Sequence, residues 1–237
     1  MANTWALVPA AGSGSRMGGK RKQYRQLGNR PVLHQTVGAL AGHPQIGHVV
    51  VGCPEEDVVD LEEELAHQHA DAEIICVSGG ASRQETVRLL LQACDAPDGA
   101  VVLVHDAVRP FVSARLITRV IKGAREHGAA APAIQVRDTL RRVQGDRWFG
   151  PIVDRSSMVR MQTPQGFKVG LLREAHEQAS AEQATDDVAL VQQMSHRVLR
   201  VAGLALTFKL TTPDDWEMAQ AIWPWWCDQQ ADEPQAA

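Results

Sequence analysis

The chain has 237 residues, of which 22% are charged, and a formal net charge of −4 at pH 7. A nucleic-acid groove normally carries a basic excess with interleaved aromatic residues, so this composition argues against nucleic acid and favours a small partner. The length is within the range that one α/β unit can fill, and we expect a single domain over residues 1–228.

The four cysteines indicate a reducing compartment. They are widely spaced, without a Cys-x-x-Cys pair or zinc-type spacing, so the sequence predicts neither a disulfide framework nor a structural metal. The N-terminal region has no basic segment, and its apolar run from Trp5 stops at Gly12, too short for a signal sequence or a membrane span. We therefore expect a cytoplasmic protein with no membrane contact.

Short apolar runs alternate with helical patterns in the first half of the chain. The runs, nearly continuous in apolar residues as buried parallel strands are, lie at 5–9, 46–51, 74–77 and 100–104. Val58, Leu61 and Leu65 recur at helical spacing, and the stripe from Val87 to Cys94 repeats this pattern. The alternation predicts an α/β fold with a mostly parallel twisted sheet flanked by helices.

The alternation continues and is then interrupted. Ser113 is a predicted helix N-cap, and the helix is expected to run through Arg125 and end at Gly128 before a strand over 129–136. The segment 137–165 is polar and broken by Gly and Pro, which is typical of an inserted β-hairpin arm. We expect this arm to pack against a second subunit, because isolated two-stranded ribbons are marginally stable.

The last part of the chain predicts further helices and strands. Helices are expected at 170–178 and 186–194, and strands at 198–201 and 207–211. Pro213 suits the first position of a final helix that is expected to end near Trp223, followed by a frayed tail over 229–237. The Trp-rich stretch is expected to pack this helix against the core or a partner.

The first strand leads into a segment of small residues followed by cations, at 9–24. Its sequence is Pro-Ala-Ala-Gly-Ser-Gly-Ser-Arg-Met-Gly-Gly-Lys-Arg-Lys-Gln-Tyr. Small residues let backbone N–H groups approach phosphate oxygens, and Arg16 and Lys22 are among the cations that supply charge against a polyanion. The segment predicts a triphosphate-binding loop, and a flexible surface turn with solvated charges is the alternative.

Two common phosphate loops match this segment only in part. A dinucleotide fingerprint would place Met17 at its third glycine, and no ribose-binding acid follows the second strand. A P-loop has its Gly14-x4-Gly19-Lys20 core here, but Arg21 stands where a Ser or Thr should hold magnesium. We therefore expect neither a Rossmann dehydrogenase nor a P-loop enzyme.

A second polar cluster, His-Asp-Ala-Val-Arg at 105–109, follows the strand at 100–104. Open α/β sheets bind ligands at the carboxyl ends of their strands, and an acid placed there can hold a divalent cation that bridges phosphates. Asp106 is therefore the metal candidate. The alternative makes Asp106 and Arg109 a turn-stabilising pair, and His105 is interpreted as a packed structural imidazole.

Further motifs run in a fixed order along nearly the whole chain. The first are Pro-Ala-Ala-Gly-x-Gly-x-Arg-Met at 9–17, Lys-Gln-Tyr at 22–24, Gly-Gly at 79–80 with Arg83, and Val-His-Asp-Ala-x-Arg-Pro at 104–110. The later ones are Val-Arg-Asp-Thr at 136–139, Asp-Arg at 154–155, Gln-Thr-Pro-Gln at 162–165, Thr-Asp-Asp at 185–187 and Lys-Leu-Thr-Thr-Pro-x-Asp at 209–215. In this order they resemble the bacterial 2-C-methyl-D-erythritol 4-phosphate cytidylyltransferases.

The resemblance implies a Rossmann-like nucleotide-diphospho-sugar transferase fold with a projecting β-hairpin arm. It implies transfer of CMP from CTP to 2-C-methyl-D-erythritol 4-phosphate, with release of pyrophosphate, in the non-mevalonate isoprenoid pathway. Mg²⁺ or another divalent cation would be the cofactor. The implied assembly is a homodimer in which each arm reaches into the neighbour's site.

The same resemblance assigns three groups of residues. Those implied in catalysis at the reacting phosphates are Arg16, Lys22, Lys209 and Asp106, with Asp106 beside the metal. Those implied around the cytidine and ribose are Ala10, Ala11, Gly12, Gly80, Thr86 and Ala107. Those implied at the acceptor phosphate are Thr139, Arg155, Thr163 and Arg109.

The chain departs from the family pattern at several positions. Arg21 stands where Pro often precedes the Lys-Gln motif, Ala81 where an acid often follows the paired glycines, and Thr207 where Asn is frequent. Thr86 and Asp187 stand where Ser and Glu are usual, so the hydroxyl and the carboxylate are kept.

Three other functions are compatible with parts of the pattern. A cytidylyltransferase for another polyol phosphate, such as ribitol 5-phosphate, would share the CTP motifs. A catalytically silent nucleotide-binding regulator would keep the fold. A glycosyltransferase is disfavoured, because no Asp-x-Asp pair follows a predicted strand.

Overall fold

The computed structural model describes residues 4–12, 21–179 and 184–232, which form a sheet covered by helices on both faces. The strands are β1 (Thr4–Pro9), β2 (Gln26–Leu27), β3 (Arg30–Pro31), β4 (Ile46–Cys53), β5 (Glu73–Ser78), β6 (Val101–Val104), β7 (Ala129–Gln135), β8 (Leu140–Gln144), β9 (Trp148–Val153), β10 (Val159–Met161), β11 (Gln165–Lys168) and β12 (Leu199–Ala202). The helices are α1 (Val32–Ala41), α2 (Val58–Gln68), α3 (Arg83–Ala93), α4 (Ala114–His127), α5 (Val169–Glu177), α6 (Asp187–Gln193) and α7 (Pro213–Asp232).

The main sheet has the order β10-β7-β11-β6-β1-β4-β5, and β12 pairs with β7. Strands β6, β1, β4 and β5 are parallel, as are β7 and β12. Strands β10 and β11 both run antiparallel to β7. The predicted α/β fold with a mostly parallel sheet is confirmed.

Side chains of the central strands alternate between two apolar cores, which explains why these strands are apolar throughout. In β6, Val101 and Leu103 enter the core under α1, α2 and α4. Val102 and Val104 enter the opposite core under α3, α5 and α6. Both faces of the sheet are therefore buried from solvent, and the sheet is a rigid support for the loops at its carboxyl edge.

Most predicted elements lie within two residues of the observed ones, and helix α4 shows why. The Ser113 hydroxyl accepts a hydrogen bond from the Leu116 amide at 3.3 Å. Gly128 ends the helix at φ 83°, a left-handed conformation that glycine adopts without steric cost. Helix α1 was not predicted, because polar His34 and Thr36 lie on its buried side and interrupt the apolar period.

The predicted strand over 207–211 is wrong, because this segment has no strand ladder. Only one backbone bond, from the Leu210 amide to the Val108 carbonyl at 3.0 Å, joins it to the loop after β6. The Thr207 hydroxyl adds a bond to the Phe111 carbonyl at 2.8 Å. These isolated bonds hold the segment beside the loop without making it part of a sheet.

The predicted end of the last helix near Trp223 is also wrong, because α7 continues through Pro224 to Asp232. A proline inside a helix costs a backbone hydrogen bond, and here the aromatic rings on both sides of it pack on a third apolar cluster. Residues 229–232, predicted to fray, are therefore helical, and 233–237 lie outside the described residues. Neither α7 nor any other helix of the described ranges is long and apolar enough to cross a membrane.

The hairpin arm is shorter than the predicted segment 137–165. Strands β8 and β9 pair only with each other, in a separate two-stranded sheet. Strands β10 and β11 belong to the main sheet instead. The projecting part is therefore the hairpin of β8 and β9, with its connections to β7 and β10.

Phe111 is the centre of the third apolar cluster, and we expect its truncation to destabilise the fold. Its ring lies 5.3 Å from that of Phe208, 5.5 Å from Trp223 and 5.6 Å from Trp226. Phe111→Ala should lower the free energy of unfolding by about 3–5 kcal/mol in a denaturant titration. The matched control is Trp225→Ala, a change at a ring that is 51% exposed and should alter it by less than about 0.5 kcal/mol. Equal losses in the two variants would contradict this packing.

Candidate functional site

Three loops meet at the carboxyl edge of the main sheet, after β1, β5 and β6. Backbone hydrogen bonds continue beyond the strands and align these loops. The Ala10 amide donates to the Gly52 carbonyl at 2.6 Å, and the His105 amide donates to the Leu7 carbonyl at 2.9 Å. The loops therefore start from a fixed register.

The loops enclose a pocket of about 450 Å³, here called the larger pocket. Its lining residues are Pro9, Ala10, Ala11, Gly12, Lys22, Gln23, Gly80, Ala81, Ser82, Arg83, Thr86, Asp106, Ala107, Val108 and Lys209. All six positions implied around the cytidine and ribose are in this set, together with Lys22, Lys209 and Asp106. Residues far apart in the sequence are thus brought together at one cavity.

The loops after β1 and β5 approach each other so closely that one side chain must be absent. A Cβ at Gly79 would overlap the Cβ of Ala11 and lie 3.3 Å from Thr86 Oγ1. The Thr86 hydroxyl donates to the Ser82 carbonyl at 2.8 Å and accepts from the Gly80 amide at 3.1 Å. Thr86 therefore fixes the shape of the loop that forms one wall of the pocket.

Lys22 lies on a turn that is tied to the pocket wall by its neighbour Gln23. Gln23 Nε2 donates to the Ala10 carbonyl at 2.7 Å and to the Gly12 carbonyl at 3.1 Å. Gln23 is buried, so these bonds replace the water that both carbonyls would otherwise bind. The Lys22 backbone is thereby held beside the loop after β1.

The other side of this turn is attached to the start of α2. Arg21 Nη1 lies 3.1 Å from Asp57 Oδ2, and the Tyr24 hydroxyl donates to the same oxygen at 2.7 Å. Arg21, which replaces the proline of the family pattern, thus takes part in an anchoring ion pair. The predicted catalytic Arg16, with the rest of 13–20, lies outside the described residues.

The side chain of Asp106 is in contact with three cationic side chains. Its Oδ1 lies 3.3 Å from Arg83 Nε, and its Oδ2 lies 3.1 Å from both Arg109 Nε and Lys209 Nζ. Burial by itself would raise the pKa of Asp106, but Lys209, Arg83 and Arg109 outweigh this effect and hold the pKa well below its usual range. Asp106 is therefore ionised near neutral pH.

The predicted turn pair of Asp106 and Arg109 exists, but it is one part of a larger cluster. Arg109 also donates through Nη1 to the Thr207 carbonyl at 2.7 Å, which fastens the Lys209 segment to the loop after β6. Three cations from separate parts of the chain converge on one carboxylate. The cluster therefore does more than stabilise a local turn.

The fit of a divalent cation at Asp106 is limited by these contacts. A carboxylate offers about four lone-pair positions, and three are directed at Arg83, Arg109 and Lys209. Among the residues described, no group of three or more His, Cys, Asp or Glu side chains could hold a metal ion. Asp106 therefore fits a cation that receives most of its ligands from phosphate oxygens, as Mg²⁺ often does.

A smaller pocket of about 190 Å³ adjoins the larger one. Its lining residues are Arg83, Asp106, Arg109, Met161, Gln162, Thr163, Gln165, Thr185, Asp186 and Lys209. The side chains of Arg83, Asp106 and Lys209 belong to both linings and form the wall between the two pockets. Two molecules bound in these pockets would meet at this charged wall.

The four positions implied at the acceptor phosphate fall into two pairs. Thr163 and Arg109 line the smaller pocket. Thr139 and Arg155 line neither pocket of the described residues, and Arg155 Nη1 donates to the Arg137 carbonyl at the base of the arm. One subunit by itself therefore brings together half of this set.

His105 is buried, in agreement with its structural interpretation. Its Nε2 lies 3.1 Å from the Arg109 carbonyl and its Nδ1 lies 3.0 Å from Thr163 Oγ1. Burial lowers the pKa of His105 to about 4, so the imidazole is neutral near pH 7. It orients Thr163, whose hydroxyl also accepts the Asp106 amide at 3.1 Å.

The sequence did not assign a role to Arg83, which the structure places in the wall between the pockets. The available signal was its position, three residues after the paired glycines and at the first turn of a helix. A cation at a helix N-terminus opposes the helix dipole, so such a residue usually has an anionic partner. Gln23 was missed in the same way, within the Lys-Gln-Tyr motif.

Comparison with known proteins identifies relatives over nearly the whole chain. The family described as IspD, 2-C-methyl-D-erythritol 4-phosphate cytidylyltransferase, matches residues 4–224. A protein of that name from Salinibacter ruber is 49% identical over 224 residues, which are 94% of this chain and 93% of the relative. Another from Thermus thermophilus is 39% identical and covers 91% of this chain and 95% of the relative.

Solved structures give the same result. The 2-C-methyl-D-erythritol 4-phosphate cytidylyltransferase of Thermus thermophilus superposes with a TM-score of 0.77 at 36% identity, covering 92% of this chain and 98% of that one. The 4-diphosphocytidyl-2C-methyl-D-erythritol synthase of Anaerococcus prevotii has a TM-score of 0.81 at 29% identity, covering 93% and 96%.

The buried neutral His105 predicts a pH dependence of stability. Its pKa is lower in the folded than in the unfolded chain, so between about pH 6.5 and 4 the unfolded chain binds more protons and stability rises with pH. Acidification through this window should lower the free energy of unfolding by up to about 3 kcal/mol. A His105→Gln variant should not show this loss. Denaturant titrations of both proteins at several pH values measure the difference. Parallel pH profiles would contradict the neutral buried imidazole.

Proposed function

This chain belongs to the 2-C-methyl-D-erythritol 4-phosphate cytidylyltransferase family, and from that premise we propose that it transfers CMP from CTP to 2-C-methyl-D-erythritol 4-phosphate. Pyrophosphate is released, and the product is 4-diphosphocytidyl-2-C-methyl-D-erythritol, of the non-mevalonate isoprenoid pathway. The observation that carries the proposal is the pair of adjoining pockets with one charged wall. CTP takes the larger pocket and the acceptor phosphate takes the smaller one.

The larger pocket suits a nucleotide by its size and its polar groups. Its volume of about 450 Å³ is in the usual range of small-molecule sites. The N-terminus of α3 lies in its wall, with Ser82 as the N-cap, and helix N-termini attract anions. Backbone groups of Ala10–Gly12 and Gly80 bind the base and ribose, and the triphosphate extends towards Lys22.

In the reaction, an oxygen of the acceptor phosphate attacks the α-phosphorus of CTP in line. The new oxygen–phosphorus bond forms as the bond from the α-phosphorus to the bridging oxygen of the β-phosphate breaks, and pyrophosphate leaves with that electron pair. The attacking oxygen is already anionic, so no general base and no covalent enzyme intermediate is required. Catalysis is achieved by positioning and by charge stabilisation.

The main physical obstacle is repulsion between the two anionic substrates. Lys22 lines the larger pocket and Lys209 lines both pockets, so each supplies a positive charge for the reacting phosphates. Arg16 is proposed as a third cation. Charge that develops on the α-phosphate in the transition state strengthens these interactions, which lowers the barrier.

The proposal includes Mg²⁺ or another divalent cation, which is bound by the oxygens of the triphosphate. When bound, it neutralises phosphate charge and helps the pyrophosphate to leave. Asp106 would provide one carboxylate oxygen towards it. The main task of Asp106 in this chain is to hold Lys209 and Arg109 at the wall, where its contacts with them are 3.1 Å long.

The test of the proposed function is release of pyrophosphate from CTP and 2-C-methyl-D-erythritol 4-phosphate with Mg²⁺. We expect a steady rate of pyrophosphate release with this acceptor, a low rate with ribitol 5-phosphate, and no release after chelation of divalent cations.

The two lysines of the pockets are tested by substitution. Lys22→Ala and Lys209→Ala should each lower kcat about 100-fold, with a smaller effect on the KM for CTP.

Three results would contradict parts of this proposal. A faster reaction with ribitol 5-phosphate would change the acceptor, and no pyrophosphate with either acceptor would favour a silent nucleotide-binding protein. Near-normal kcat in Lys22→Ala would remove that lysine from the phosphate site.

A homodimer is the second part of the proposal, supported by the exposed apolar surface of the arm. Val143, Trp148, Phe149 and Ile152 are between 63% and 84% exposed. Such a patch on a hairpin outside the main sheet is typical of an interaction surface. The occupant we propose is a second copy of this chain.

The incomplete acceptor set is the reason to choose a second copy as the partner. Thr139 and Arg155 belong to the implied acceptor site, but they line neither pocket of their own described chain. Arg155 can offer two parallel hydrogen bonds to a phosphate. In the dimer, the arm of one subunit brings Thr139 and Arg155 to the smaller pocket of the other. The compartment that we propose for this dimer is the cytoplasm.

Subunit mixing tests this crossed arrangement. Asp106→Ala and Arg155→Ala proteins should each be nearly inactive, because each lacks one component of every site. After joint unfolding and refolding at equal concentration, half of the dimers are mixed and each has one intact site, so about a quarter of normal activity should return. Separately refolded variants are the control. No recovery, with subunit exchange demonstrated, would place Arg155 in its own subunit's site.

A further inference from the structure

Arg83 connects the charged wall between the pockets to a buried acid behind it. Its Nε lies 3.3 Å from Asp106 Oδ1, and its Nη1 lies 2.8 Å from Asp187 Oδ2. The two contacts use different nitrogens of the guanidinium group. The orientation of Arg83 is therefore set by two carboxylates.

Asp187 is placed where it can act only through other protein groups. It is the first residue of α6, is 1% exposed and lines neither pocket of the described residues. Its second oxygen lies 3.1 Å from His176 Nε2, and its amide donates to Gln165 Oε1 at 3.2 Å. Neither a nucleotide nor an acceptor in these pockets would touch Asp187.

The charge of Asp187 is maintained by its contacts. Burial by itself would raise its pKa, but Arg83 and then His176 outweigh this and lower the pKa below its usual range. Asp187 therefore stays ionised near neutral pH. Arg83, whose side chain is 24% exposed, correspondingly lies between two negative charges, Asp187 and Asp106.

Stability alone does not explain a buried ion pair of this kind. Removing charges from water costs several kcal/mol per ion, and well-packed apolar residues often stabilise a fold as well or better. The pair instead restricts the geometry of Arg83. Its remaining nitrogen, Nη2, is buried without a hydrogen-bond partner in the described part of the chain, so the contacts through Nε and Nη1 determine its orientation.

The alternative geometry of Arg83 shows what Asp187 prevents. An arginine beside a single carboxylate tends to form two parallel hydrogen bonds that occupy both oxygens. Arg83 in that arrangement would compete for Asp106 Oδ2, the oxygen that Lys209 and Arg109 now share. Lys209 would then lose the contact that holds it in the wall.

We infer that Asp187 is a positioning residue, which holds Arg83 on one oxygen of Asp106 and so leaves the other oxygen to Lys209 and Arg109. The inference rests on the proposed function, because its effect is on the placement of Lys209 beside the reacting phosphates. It assigns Asp187 no contact with either substrate.

Asp187→Asn is the direct test, because it removes the charge with almost no change in volume. We expect kcat to fall about 10- to 100-fold while the KM for CTP changes less than about three-fold, since most of the larger pocket is unchanged. Asp187→Glu keeps the carboxylate and should recover most of kcat. Val191→Ala, which removes buried apolar contacts from the same helix, is the control and should keep kcat although stability falls.

A double-mutant cycle distinguishes a loss of kcat caused by misplaced Arg83 from a loss of kcat with another cause. If Asp187 acts through Arg83, then the Arg83→Gln, Asp187→Asn double variant should lose no more kcat than the worse single variant. Losses that multiply would overturn the inference. So would normal kcat in Asp187→Asn, or a kcat loss in Val191→Ala of equal size.

A second variant covers the case in which Asp187→Asn does not fold. His176→Leu removes the other side-chain contact of Asp187 and should lower kcat several-fold at unchanged KM for CTP, whereas unchanged kcat would contradict the inference.

The unmodified enzyme distinguishes a failure of the proposed function from a failure of the role of Asp187. If it releases no pyrophosphate from CTP and 2-C-methyl-D-erythritol 4-phosphate, the proposed function fails, whereas a fully active Asp187→Asn overturns only the role of Asp187.

Discussion

The balance of charge around the Asp106 carboxylate is the constraint on which the rest of the site depends. Asp106 contributes one negative charge, and the cations around it come from the start of α3, from the loop after β6 and from the segment before α7. These parts of the chain share no strand ladder with one another. The ion pairs with Asp106 join all three parts, and the bonds of Val108 and Arg109 to the Lys209 segment add to them. This cluster of side chains includes the wall that separates the two pockets.

The local charge differs from that of the whole chain. The wall has one net positive charge, from Arg83 and Lys209 against Asp106, although the chain as a whole carries −4. A substrate polyanion responds to the nearby charge, because distant surface charges are screened by salt. The overall charge of the chain therefore said nothing about phosphate binding at this site.

The sequence could predict those parts of the fold and site that follow from local patterns. Continuous apolar runs identified the buried strands, and Ser113 and Gly128 marked the ends of α4 because capping is a local interaction. The segment of Lys209 was misjudged, since its conformation depends on bonds to Val108 and Phe111, about 100 residues earlier. Helix α7 passes Pro224 for a similar reason, because packing on Phe111 is a tertiary effect.

Site residues with ordered motifs were easier to predict than the residues that position them. Lys22 and Asp106 were identified from their loops and again through the family resemblance, Thr163 through the resemblance alone, and all three line the two pockets. Arg83 and Asp187 both appeared in motifs, but neither was given a role. Their contacts join α3 to α6 across 104 residues, and no spacing in one sequence indicates which acid an arginine will meet.

The close approach of the loops after β1 and β5 also limits how this protein can evolve. The space that a side chain at Gly79 would need is already filled by the methyl group of Ala11. A glycine-to-alanine change on one loop is therefore tolerable only together with an alanine-to-glycine change on the other, or with a shift of the loops that would alter the pocket. The order of the two changes matters, because Gly79→Ala made first produces the overlap, whereas Ala11→Gly made first removes the methyl group that would clash. Position 79 is thus expected to gain a side chain only after position 11, 68 residues earlier, has lost its methyl group, or together with a shift of the loops.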